Sequence, residues 1–76
     1  MNTDRALHAK FTHEREVYHI VRYARAGKWW IEGVTSRRPV TLQQAVDAAR
    51  AFDAEVFFGK PGGLRFDSAL RKRSDV

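Results

Sequence analysis

Two adjacent tryptophans, Trp29 and Trp30, lie inside a short run of strand-forming residues, 28–34. Side chains alternate across a strand, so when one indole joins the core, its neighbour is sent to the opposite face of the sheet. With 76 residues, the chain makes one domain with one modest core. The second indole therefore marks a candidate contact surface.

The segment before it, residues 16–24 (Glu-Val-Tyr-His-Ile-Val-Arg-Tyr-Ala), is rich in β-branched and aromatic residues and reads as the preceding strand. Between the two, Arg25-Ala26-Gly27 fits a three-residue hairpin loop with Gly27 in the left-handed position. That loop pairs Tyr23 with Trp29 and Val21 with Ile31, giving one apolar face. It sends Tyr18, Ile20, Arg22, Trp30 and Glu32 to the other. A two-residue loop would exchange these sets, because one step of register moves every side chain across the sheet.

Residues 35–40 form a polar link with Arg37, Arg38 and Pro39. Thr41 then stands as a helix N-cap, with Gln44 three residues on to complete a capping box. Leu42, Ala45, Val46, Ala49 and Phe52 recur at helical spacing and predict a helix over 42–53 with one apolar stripe. Residues 55–59 and 64–67 read as two further strands, joined through Lys60-Pro61-Gly62-Gly63 as a type II turn. The expected core sets Leu42, Val46, Ala49 and Phe52 against Trp29, Ile31, Val56, Phe58, Leu64 and Phe66.

The predicted fold class is α+β: a four-stranded antiparallel sheet of β-β-α-β-β order, covered on one face by a single helix. The domain spans 16–67. Residues 1–15 are expected to be an arm or short helix, and 68–76 a basic tail. One helix covers one face, so the other collects Tyr18, Arg22, Trp30, Phe57 and Arg65 as a candidate binding surface. Arg37, Arg38, Arg71, Lys72 and Arg73 add basic contacts beside it.

The order resembles a family of small bacterial domains of uncharacterised function. The matching residues are Tyr18-His19-Ile20-Val21, Gly27-Lys28-Trp29, Thr41 with Ala45, and Glu55-Val56-Phe57-Phe58 followed by Gly62-Gly63. The resemblance covers about 17–67 and implies the fold but no activity. The Arg-rich link and tail are not part of the family's pattern.

No catalytic, metal or nucleotide motif stands out. Gly59-Lys60-Pro61-Gly62-Gly63 lacks the Ser/Thr and following helix of a phosphate-binding loop. His8, His13 and His19 share no face and have no carboxylate cluster beside them. The chain has no cysteine, which excludes a disulfide framework and thiolate metal sites. The expectation is a non-enzyme with no cofactor, no metal and no small-molecule substrate.

A net charge of +5 attracts nucleic acid, acidic protein or anionic lipid without discriminating among them. No stretch reaches the length of a membrane span, and no secretory signal is present. A cytoplasmic protein without membrane association is therefore expected. Arginine outnumbers lysine and alanine is abundant, as in GC-rich bacterial or phage genomes. The leading functional reading is a protein-binding module, contacting a protein partner or a second copy of itself. A phage-encoded inhibitor or modulator that occludes a surface of a host complex, in the host cytoplasm, is one such setting. The alternative is RNA or single-stranded DNA on the open sheet face, with the basic loop and tail on phosphates.

Overall fold

The computed structural model describes residues 4–58 and 63–71. Four strands follow one another: β1 (Arg5–His13), β2 (Glu16–Tyr23), β3 (Lys28–Glu32) and β4 (Arg37–Val40). They are followed by α1 (Leu42–Ala51), the two-residue β5 (Glu55–Val56) and α2 (Leu64–Arg71). The sheet is antiparallel throughout, in the order β4-β3-β2-β1-β5. The first four strands make a meander, and α1 carries the chain from the β4 edge to the far side of β1.

The fold is α+β with an antiparallel sheet covered on one face, as expected, but the described residues form five strands and two helices in place of four and one. Ala45, Val46 and Ala49 of α1 and Phe66 of α2 join Ala9, Phe11, Ile20, Trp29 and Ile31 in one core. Both helices thus pack on the same side of the sheet.

Helix α1 begins where its capping residues place it. The Thr41 hydroxyl accepts from the Gln44 N–H at 3.0 Å, and the Gln44 side-chain oxygen accepts from the Thr41 N–H at 2.9 Å. The helix ends sooner than the apolar stripe does: Phe52 is its C-cap, and Asp53 has φ 52°. Phe52 is therefore not a core residue. It remains 38% exposed and stacks over Phe11 outside the helix, with ring centroids 4.7 Å apart.

Residues 5–13 form a strand, not the expected arm or short helix. Leu7, Ala9 and Phe11 alternate with polar residues, and a bulge divides their roles. Leu7 faces Val21, whereas Ala9 faces Ile20, so His8 is the extra residue. The bulge turns His8 fully into the core, 4.9 Å from the Trp29 ring and 6.1 Å from that of Phe66 between centroids. A two-residue turn at Glu14 and Arg15, both with positive φ, leads into β2.

The expected strand at 64–67 is instead the first turn of α2, which continues through residues assigned to a tail. Phe66, Ala69 and Leu70 lie three and four apart and face the core together. Leu64 (84% exposed) and Phe58 (52%) are outside it, while Leu42 and Val56 pack at its margin. Arg50 fastens the helices together by donating to the Ala69 and Leu70 carbonyls at 2.8 and 3.2 Å. The turn expected at 60–63 lies outside the described residues apart from Gly63.

Candidate functional site

The β2–β3 hairpin fixes which residues reach the open face. Tyr23 pairs with Lys28, Arg22 with Trp29, Val21 with Trp30 and Ile20 with Ile31. The loop has four residues, 24–27, not three. Gly27 at φ 67° donates its N–H to the Tyr23 carbonyl at 2.7 Å. Asp4 closes the turn from the neighbouring strand: its carbonyl accepts from the Ala24 N–H at 3.1 Å and its carboxylate from the Arg25 N–H at 2.7 Å. The even loop exchanges the faces of β2 against the three-residue expectation. Trp29 and Ile31 stay in the core beside Ile20, and Val21 and Tyr23 cross to the side of Trp30.

The open face is built from four strands. Val21 is fully buried yet outside the main core, flanked by Leu7 and Trp30. Tyr23 meets the Trp30 ring edge-on, at 6.4 Å between centroids and 81° between planes. The Arg37 guanidinium lies 3.9 Å from the Trp30 centroid and 5.4 Å from that of Tyr23.

Glu32 is the hub of this group. One carboxylate oxygen accepts from the Tyr23 hydroxyl at 2.7 Å and Arg37 Nε at 3.0 Å. The other accepts from Arg5 Nε at 3.0 Å and Nη2 at 2.7 Å. Partial burial alone would raise the Glu32 pKa. The bonds from Tyr23, Arg5 and Arg37 outweigh it and hold the carboxyl below its ordinary 4.5.

Of the expected site residues, Trp30 and Arg37 come together on the open face. Tyr18 and Arg22 do not: the register puts them on the helix side, where Tyr18 stacks on Phe11 at 5.3 Å. Arg22 and Arg65 of α2 both line a cleft on that side. Phe57 is partly buried just after β5 and donates its N–H to the His8 carbonyl at 2.8 Å. Arg38 is exposed on the edge strand opposite Ile31. Arg71 ends α2 with its guanidinium 5.0 Å from the Phe58 ring centroid. Lys72 and Arg73 lie outside the described residues.

Tyr23, Glu32 and Arg5 were missed as site residues. The even hairpin loop was the signal for Tyr23. Arg5 required the recognition of β1.

An array of fixed aromatic rings and guanidinium groups can grip a surface. Among the described residues, no three of His, Cys, Asp and Glu gather as a metal-binding group. Nor is any described helix long and apolar enough to cross a membrane. The chain matches no family model, no curated protein and no solved structure.

Proposed function

We propose that the protein is a small, non-catalytic protein-binding module that occupies an acidic partner surface with the sheet face opposite its helices. The observation that carries this reading is the group of Tyr23, Trp30 and Arg37 held around the Glu32 carboxylate. Tyrosine, tryptophan and arginine are the residue types that dominate binding hot spots. Side chains already fixed in the free protein lose less conformational entropy on docking. The net charge of +5 speeds encounter with an acidic surface. A phage-encoded inhibitor that occludes part of a host complex would work this way.

RNA or single-stranded DNA is the second reading, favoured by aromatic rings on an open antiparallel sheet in a basic protein. Arg37 decides the order. Its guanidinium covers Trp30 at 3.9 Å, so a base must displace it or stack upon it. A protein carboxylate can instead bond to its outward N–H groups.

Capture from host lysate with and without nuclease separates the two readings. The protein reading predicts a specific partner that survives nuclease and is lost with Trp30→Ala. Capture abolished by nuclease would overturn it in favour of nucleic acid.

A further inference from the structure

On the helix side of the sheet, a cleft of about 290 Å³ opens between the β2–β3 hairpin, the start of α1 and α2. Arg22 of β2 and Arg65 of α2 both line it, and no carboxylate does. Among the described residues, neither arginine's side chain forms a hydrogen bond or ion pair. Elsewhere among the described residues Arg5 and Arg37 share Glu32 and Lys10 meets Glu55, while Arg15, Arg25 and Arg38 stand singly and form no ion pair. What sets Arg22 and Arg65 apart is that two unpaired guanidinium groups line one concavity.

The surroundings add to the positive potential and shape the cleft. The Arg22 guanidinium runs beside the hairpin loop, its Nη2 within ordinary contact (3.9 Å) of where a β-carbon on Gly27 would stand. Thr41 and Leu42 bring the N-terminal end of α1 to the wall, and no acidic residue occupies that helix's first turn. Trp29, Val40 and Leu42 supply apolar surface beside the charges. Lys28 lines the rim, but alternation sends its side chain to the open face, so the two arginines carry the argument.

From this geometry we infer that the cleft binds a small phosphate monoester. The phosphate would sit between Arg22 and Arg65, and the organic part against Val40 and Leu42. Guanidinium forks match phosphate oxygens in bidentate fashion, and a dianion satisfies two of them at once. The volume suits a small ligand, whereas the sheet face across the molecule suits a macromolecule. No sequence motif announces this ligand class, because the two arginines are 43 positions apart and meet only through α2.

The test is an NMR titration of the full chain with inorganic phosphate and with adenosine monophosphate, at constant ionic strength in chloride. Saturable shifts are expected at the Gly27, Thr41 and Leu42 amides and the Trp29 indole. Arg65→Gln, at an exposed position on α2, should weaken binding by about tenfold, and Arg22→Gln by a similar factor. Trp30→Ala and Lys10→Gln should leave it unchanged, which separates this site from the sheet face. The inference is overturned by undiminished binding to Arg65→Gln and Arg22→Gln. Absence of saturable shifts with either probe overturns it too, including the case in which only a single-stranded oligonucleotide binds.

Discussion

The Arg37 guanidinium lies 3.9 Å from the centroid of the Trp30 ring, and Glu32 holds it there through a 3.0 Å bond from Nε. Arg37 stands opposite Glu32 across the β3–β4 ladder, and Pro39 stands opposite Trp30. This geometry supports the face, and not the edge, as the proposed binding surface. Pro39 has no N–H to offer an added strand, and Arg37 and Arg38 charge the edge, so β4 resists strand addition. The Trp30 surface beside it is fixed and partly open.

Replacing Glu32 tests the hub. Glu32→Gln should cost about 1–3 kcal/mol at neutral pH, because the cations and the Tyr23 hydroxyl lose a charged acceptor. The folded-state pKa is below 4.5. The stabilisation is thus complete above the unfolded value and is lost as pH falls through the folded one. Denaturant unfolding should show the wild type losing more stability than Glu32→Gln between about pH 7 and pH 3. Parallel losses would contradict this.

Gly33 is required by its neighbours. A β-carbon there would lie 2.5 Å from a Glu16 carboxylate oxygen and 2.7 Å from the Tyr18 ring. That same Glu16 oxygen accepts from the Val34 N–H at 2.8 Å, tying the β3–β4 turn to the start of β2. Gly33→Ala should therefore destabilise the fold by about 1–3 kcal/mol. An unchanged melting temperature would show that the turn yields freely.

The β1–β2 turn can be improved. Glu14 and Arg15 have φ of 53° and 69°, the left-handed conformation that costs ordinary residues energy. Asn and Gly are the pair that two-residue turns of this hand prefer. The double change Glu14→Asn with Arg15→Gly should raise stability by about 1–2 kcal/mol in thermal unfolding. A loss of stability would count against the assigned turn.

Phe66, and not Phe52, anchors the helix layer. Phe66 is fully buried, with its ring stacked 5.2 Å from that of Trp29. Phe66→Ala should cost roughly 3–5 kcal/mol and unfold a marginal domain. Phe52→Ala removes only a ring that covers Phe11 from outside, and a markedly smaller loss is expected. Equal losses would contradict this division.

Local signals were legible in the sequence where they were self-contained. Thr41 and Gln44 fixed the start of α1, and the Trp29–Trp30 pair correctly implied one indole on each face. The errors arose where a distant residue decides. Asp4 stabilises the four-residue loop, but it can act only once 5–13 is a strand. The alternation of Leu7, Ala9 and Phe11 with polar residues is itself a strand signal, but the segment is poor in β-branched residues beside β2, and the bulge at His8 sends Leu7 to the open face and Ala9 to the core. Leu64-Arg65-Phe66-Asp67 alternates like a strand, yet it is helical because Phe66, Ala69 and Leu70 together meet the core. One wrong hairpin parity then exchanged Tyr18 and Arg22 for Tyr23 in the expected site.

The most direct test of the sheet-face account measures partner affinity and unfolding side by side for the wild type, Trp30→Ala and Arg37→Ala. The partner is the protein captured from nuclease-treated lysate. Arg37→Ala serves as a second probe because Arg37 is exposed and outside the core. The account predicts that Trp30→Ala weakens binding by more than about 2 kcal/mol, roughly 30-fold, while the protein still unfolds cooperatively. Arg37→Ala should weaken binding with little change in melting temperature. Undiminished affinity in both variants, or a melting temperature that collapses in Arg37→Ala while affinity per folded molecule holds, would contradict it.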